Sequence, residues 1–232
     1  KGQILFDLIE ILKIKQPKYF ILENVKGFIN HQKGETLKQA IMLLESCNYK
    51  VFHKVLNTID FGLAHSRERV YFVGIHNIMD KNFDFMFHTK HKNIECFLSP
   101  EQENEFLKES QSYATFLKYL NNKYNQNKYD LASLLEEDFL ILDTRQSDLR
   151  LYRNKIPTIR RDRQGLLYVY NKKLYKLSGY EALKLQGFDK LQDFKIKINT
   201  LKQSDILRQC GNAMSVNVIE ALATKLREGS NG

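Results

Sequence analysis

Cysteine is scarce. The 232 residues hold three, Cys47, Cys96 and Cys210, too few and too scattered for a disulfide framework or a CxxC metal site. That usage points to a reducing, cytoplasmic setting. No stretch approaches the roughly 18 consecutive apolar residues of a membrane span, and no signal peptide opens the chain. The histidines (His31, His53, His65, His76, His88, His91) each lack a partner at ligand spacing, so no metal site is expected. Proline is confined to Pro17, Pro100 and Pro157, and none precedes a cysteine. Among the eleven glycines no Gly-x-Gly occurs.

What is present suits a folded chain. Hydrophobic residues at 43% and charged residues at 27% allow a core, which excludes wholesale disorder. The length fits one large domain or one and a half ordinary ones. Lys and Arg outnumber Asp and Glu by 36 to 27, a net charge of +9, alongside 12 Tyr and 15 Phe. This balance suggests a polyanionic partner, although charge alone is weak evidence. The chain opens at Lys1 rather than Met and is expected to be the downstream part of something longer.

Along the first 76 residues helical and extended patterns alternate. Ile4, Leu5, Leu8, Ile11 and Leu12 have helical spacing, ended by Pro17. Tyr19 to Leu22 reads as a buried strand before Glu23. A second helix opens at Gly34-Glu35-Thr36, Val51 to Asn57 alternates like a strand, and Val70 to Ile75 is a further apolar run. Such alternation predicts a parallel α/β sheet. Residues 77–150 lose this order. Helical patterns are expected there at 101–122 and from Leu131 to Glu137. Gly165 to Tyr170, Asn171-Lys172-Lys173 and Leu174-Tyr175 read as strand, turn, strand. Ser178 and Glu181 form a capping-box pattern for a helix stopped by Gly187. A last helix is expected over about 215–226.

Four places could carry chemistry. Glu23 closes an apolar strand, where a carboxylate can serve as acid, base or hydrogen-bond partner, or simply as a cap or surface ion pair. Arg67 and Arg69 lie two apart, on one face if extended. Paired guanidiniums suit phosphate or a base edge; the plainer reading is an exposed strand start with Glu68 paired locally. Gly211-Asn212-Ala213 precedes a helix, which permits close approach to a ligand or serves only as a cap. Between Arg145 and Lys173 nine basic residues face only Asp148 and Asp162. That run suits phosphate or is a solvated surface.

The order of these pieces is far more specific than any one of them. Leu22-Glu23-Asn24-Val25 comes first, then Ser66-Arg67-Glu68-Arg69-Val70-Tyr71. Tyr180-Glu181-Ala182-Leu183-Lys184-Leu185-Gln186-Gly187-Phe188 follows, then Gln209-Cys210-Gly211-Asn212-Ala213. Together they resemble the C-terminal two-thirds of a cytosine-5 DNA methyltransferase, over about residues 1–76 and 157–227. The resemblance implies a partial doubly wound, S-adenosylmethionine-dependent α/β sheet with a small irregular target-recognition domain. Residues 1–76 would belong to the catalytic domain and 77–160 to the recognition region. Residues 161–232 would complete that region and return to the catalytic domain.

It also implies roles. Glu23 would bond the N3 edge of a flipped-out cytosine, and Asn24 would position the loop bearing the nucleophile. Arg67 and Arg69 would meet the cytosine carbonyl oxygen and nearby backbone. Gly211, Asn212 and Ala213 would lie beside S-adenosylmethionine. Arg145, Arg150, Arg153, Arg160, Arg161 and Arg163 would face duplex DNA. Two departures from the family pattern are His65, where Gln is common, and Tyr180, where Arg is common. The family nucleophile is a Cys after Pro and its cofactor loop is Phe-x-Gly-x-Gly; both patterns are absent here. Lys1-Gly2 falls just after the family's mobile catalytic loop. The nucleophile is therefore expected from an upstream segment or partner chain, and this chain alone is expected to be inactive. The resemblance implies restriction-modification and a cytoplasmic setting, at the nucleoid if the host is prokaryotic. A DNA-recognition subunit without a catalytic role, and an RNA methyltransferase, are the alternatives. An N-terminal half missing from the chain would leave a sheet edge and apolar surface uncovered.

Overall fold

The computed structural model describes residues 3–190 and 201–228; Lys1 and Gly2 lie outside them. In chain order the first elements are α1 (Gln3–Lys15), β1 (Tyr19–Val25), α2 (Glu35–Glu45), β2 (Tyr49–Asn57), β3 (His65–Ser66) and β4 (Glu68–His76). Then come α3 (Gln111–Leu120), α4 (Leu131–Leu134), β5 (Ile141–Asp143), β6 (Arg150–Tyr152) and β7 (Ile156–Pro157). The last are β8 (Leu166–Tyr170), β9 (Lys173–Lys176), α5 (Gly179–Lys184), α6 (Gln203–Asn212) and α7 (Val216–Glu228). They gather into two compact units. One takes the chain up to Asn57, Glu68–Thr89 and the stretch from Val218; the other takes Thr58–Arg67 and Lys90–Asn217. No helix among the described residues is long and apolar enough to cross a membrane.

In the first unit β4 lies between β1 and β2 and runs antiparallel to both. The parallel neighbours expected from the alternating pattern are therefore corrected. Only residues 58–67 join β2 to β4, and a parallel crossover needs about a dozen residues or more. Ile9 and Leu12 of α1 pack with Phe20, Leu44, Cys47 and Tyr49 to form this unit's core. Helix α1 ends where Gln16 adopts a φ of 42°, just before Pro17. Its side-chain amide donates to the Leu12 carbonyl at 2.9 Å, which also accepts from the Gln16 backbone amide at 3.0 Å. The opposite face of α1 leaves Ile4, Phe6, Ile11 and Ile14 exposed, each by more than half.

The second unit is built on an antiparallel sheet in the order β6-β5-β8-β9. Both faces of β8 are buried, and its two-residue period sends alternate side chains into different cores. Leu166 and Tyr168 of β8 join one core with Ala182, Leu185, Ile206 and Cys210 of α5, α6 and the turn after α5. Leu167 and Val169 join the other, with Tyr113, Phe116 and Leu120 of α3. The β8–β9 turn is formed by Asn171 and Lys172 at φ 47° and 59°, the left-handed pair that a two-residue hairpin demands. The helix expected over 101–122 is confined to α3. Its N-cap is Ser110, whose hydroxyl accepts from the Tyr113 amide. The expected Leu131–Glu137 helix is the single turn α4.

The capping box forms as its sequence predicts. Glu181 is fully buried and its carboxylate accepts four hydrogen bonds. The donors are Ser99 N (2.7 Å), Ser178 N (2.7 Å), Ser178 Oγ (2.8 Å) and the Tyr168 hydroxyl (2.8 Å). Burial pushes its pKa up, and the four donors offset this only in part. One side chain thus ties the start of α5 to β8 and to the loop at Ser99.

Candidate functional site

In the first unit β1 and β4 pair with Glu23 opposite Tyr71 and Val25 opposite Arg69. Glu23 and Arg69 are thus diagonal cross-strand neighbours, within reach of long side chains. Arg69 Nε lies 2.7 Å from Glu23 Oε1, and both side chains are mostly but not fully covered, Arg69 at 14% and Glu23 at 17% exposed. A second Arg69 nitrogen donates to the Glu68 carbonyl at 2.8 Å, fixing the guanidinium. Beside them the Asn24 carboxamide oxygen accepts from the Val25 amide at 2.8 Å. Glu68 pairs with Lys26 at 2.9 Å, facing solvent. A carboxylate and a fixed fork of donors are therefore held together at the end of β1.

Arg67 has a different environment from Arg69, so the two do not act as a matched pair. Within the second unit its side chain is buried and donates to three backbone carbonyls. These are Ala213 at 2.9 Å, Gly211 at 3.3 Å and Ile159 at 3.4 Å. His65, also buried, accepts from the Ile159 amide at 3.0 Å through Nε2. Thr158 Oγ1 donates to the Ser66 carbonyl at 2.8 Å. The β3 segment and its flanks thus hold the chain just before Arg160 at several points.

Gly211 and Asn212 are the last two residues of α6, and Ala213 is its C-cap. They lead into the next helix, which begins at Val216, as the sequence predicts, but they also close the helix before it. A Cβ on Gly211 would come within 2.2 Å of Arg161 N and 2.5 Å of Arg161 Cα. The glycine is required for backbone contact inside the unit. The Gly211 and Ala213 carbonyls are engaged by Arg67, which leaves Asn212, exposed, as the one side chain of the three turned outward. These three residues alone do not make a pocket for S-adenosylmethionine. Nearby, buried Gln186 donates to the Cys210 carbonyl at 2.8 Å and accepts from Ser215 Oγ at 2.7 Å. The sequence signal for Gln186 was its place after the capped helix; for His65, it was only a departure from a motif.

The basic run divides. Arg145 is turned inward: its side chain is 2% exposed, forks onto Asp143 at 2.7 and 2.9 Å, and donates to the Thr158 carbonyl at 2.8 Å. Burial alone would raise the Asp143 carboxyl, but the Arg145 hydrogen bonds and charge outweigh it and hold it below the usual range. Arg153 pairs with Glu137 at 2.6 Å, Arg150 with Asp148 at 3.6 Å and Arg161 with Asp162 at 3.5 Å, all on the surface. Arg160 and Arg163 form no ion pair among the described residues. Both line a cleft of about 570 Å³ in the second unit, with Gln164, Lys176, Phe106 and Phe116.

The three thiols differ in their surroundings. Cys210 is fully buried and burial pushes its pKa up to about 12. Cys47 is buried, its thiol 3.4 Å from the Leu43 carbonyl. Cys96 is exposed, although the apolar Phe97-Leu98 that follow it predict a buried position. No group of His, Cys, Asp or Glu among the described residues is placed to hold a metal ion.

The family model for the C-5 cytosine-specific DNA methylase matches residues 1–228. The Type II methyltransferase M.NgoBI of Neisseria gonorrhoeae is 33% identical over 231 residues, covering 95% of this chain and 64% of its own length. The Type II methyltransferase M.HaeII of Haemophilus aegyptius is 32% identical over 234 residues, covering 100% of this chain and 67% of its own length. The chain therefore spans about two thirds of such relatives. Among solved structures, the Entamoeba histolytica methyltransferase EhMeth has a similar fold. Its TM-score is 0.65 at 17% identity, over 98% of this chain and 70% of that one. The Schizosaccharomyces pombe Dnmt2 methyltransferase gives 0.60 at 18% identity, over 100% and 72%. The α/β methyltransferase fold implied by the four ordered motifs is the one these structures share. The chain belongs to the C-5 cytosine-specific DNA methylase family.

Proposed function

We propose that this chain is the base-holding and DNA-reading part of a DNA (cytosine-5)-methyltransferase. A partner segment upstream supplies the nucleophilic thiol and most of the S-adenosylmethionine site. The observation that carries the reading is the Glu23–Arg69 pair, fixed at 2.7 Å on adjacent strands. Cytosine presents N3 and a carbonyl oxygen side by side. A carboxyl group that shares a proton with N3, beside a guanidinium that donates to the carbonyl oxygen, matches that edge. Attack of a thiolate on C6 drives electron density toward N3, where this pair stabilises it. A base stacked in a duplex is closed to such attack, so the cytosine must be flipped out.

Three further features support the reading. The buried Cys210 thiol, with its raised pKa, is unsuited to attack. The exposed apolar face of α1 and the open edge of β1 suit a covering upstream segment. Arg160 and Arg163, unpaired among the described residues, suit DNA phosphate in the recognition region, whereas Arg145 is engaged internally. Asn212 is the residue of its group that S-adenosylmethionine would meet, and that cofactor supplies the methyl group.

The acceptor is tested by offering duplex DNA and tRNA in parallel to the chain joined by its upstream segment. Methyl transfer to DNA at more than ten times the rate on tRNA is expected. Transfer confined to tRNA overturns the DNA assignment and leaves the cytosine chemistry standing.

A further inference from the structure

We infer that Gly211 is a positioning residue for DNA contact, the seat of the Arg160–Arg163 loop, rather than part of a cofactor pocket. The inference rests on the reading that the chain binds DNA. Gly211 is the penultimate residue of α6, and the backbone of Arg160 and Arg161 crosses directly over it. A side chain there would meet Arg161 N at 2.2 Å, Arg161 Cα at 2.5 Å and the Arg160 carbonyl carbon at 2.6 Å. These are backbone atoms, so no rotamer change relieves the clash; the loop itself must move.

The loop is otherwise held at its two ends, at Gly165, whose carbonyl accepts from Thr144 N and Oγ1 at 2.9 Å each, and at its root. His65 takes the Ile159 amide and Arg67 takes the Ile159 carbonyl, so both backbone polar groups of that residue are spoken for. Arg67 also grips the Gly211 and Ala213 carbonyls, which joins the root of the loop to the seat. Beyond Ile159 every side chain from Arg160 to Gln164 is exposed. The stretch carries three arginines against Asp162, and Asp162 is engaged with Arg161. That leaves Arg160 and Arg163 as the charges the seat aims. An exposed loop with two uncommitted guanidiniums on a buried, multiply bonded base is a phosphate-gripping arrangement. A methyl group on Gly211 would lift the loop without removing a charge.

The test is duplex DNA binding by the chain as a function of salt, read by fluorescence anisotropy, with folding followed by circular dichroism. Gly211→Ala is expected to weaken binding and to flatten the plot of log affinity against log salt by about 1.8, the value for two lost phosphates. The Arg160→Ala/Arg163→Ala double variant should flatten it equally, and adding Gly211→Ala to that background should change nothing more. A folded Gly211→Ala variant with the wild-type slope and affinity overturns the assignment, as does a loss that adds fully to the double variant. A wild-type chain with no salt-dependent duplex affinity overturns the DNA reading and this inference with it. Should Gly211→Ala fail to fold, His65→Leu reads the same seat from the root of the loop. The same flattening is then expected, and an unchanged slope overturns the proposal.

Discussion

Replacing Glu23 by Gln is expected to lower methyl transfer by about 10²–10³-fold in the enzyme joined by its upstream segment, with duplex DNA affinity little changed. The magnitude is that of removing one preorganised electrostatic contact to developing charge. Gln keeps the size of the side chain and can still bond to N3, but it cannot pass a proton. The ion pair to Arg69 is lost in the same step. Arg69→Met should produce a comparable fall, and the double variant should be little worse than either single one, because both act on one base edge. Single-turnover rates measured with saturating DNA separate this from a binding defect. Full turnover by the Glu23→Gln variant would remove Glu23 from the chemistry.

The largest expected effect on stability is at Glu181, far from that pair in sequence. Glu181→Ala leaves four donors without their acceptor, three buried on Ser178 and Tyr168 and one part-buried on Ser99. Leaving such groups unsatisfied costs about 1–3 kcal/mol each before water or rearrangement offsets it. A net loss of about 3–5 kcal/mol is expected, enough to unfold a marginal domain. Burial also pushes the Tyr168 phenol up, so Tyr168 remains a donor that needs this acceptor. The pH dependence follows from the raised Glu181 pKa. A carboxyl whose folded-state pKa lies above the unfolded one contributes most below the ordinary carboxylate range. Its contribution declines as pH rises through the raised value. The stability difference between wild type and Glu181→Gln should shrink over that window. Urea unfolding at a series of pH values measures both effects. A Glu181→Ala loss below about 1 kcal/mol would contradict the hub assignment.

Much of this was legible because it is local. The Asn171-Lys172 turn, the Ser178–Glu181 capping box, the end of α1 before Pro17 and the apolar runs of β1, β2 and β4 are each written within a few residues. Sequence order of the four motifs carried the family. What was not legible depends on distant partners. Strands β5 and β6 have three residues each and exist because β8 pairs with one side of β5 and β6 with the other. The antiparallel placement of β4 follows from the length of a connection, not from its own pattern. Arg67 and Arg145 look like Arg69 and Arg160 in sequence, yet burial assigns the first two to backbone carbonyls and Asp143. Gly211 reads as helix punctuation until the Arg160–Arg161 backbone is seen against it.

The central claim is that the chain holds the base while the attacking thiol comes from elsewhere. It is tested most directly by transfer of labelled methyl from S-adenosylmethionine to unmodified duplex DNA, with the chain alone and with the upstream segment added. Transfer only when both are present is the predicted result. Transfer by the chain alone would place the nucleophile among Cys47, Cys96 and Cys210 and contradict it.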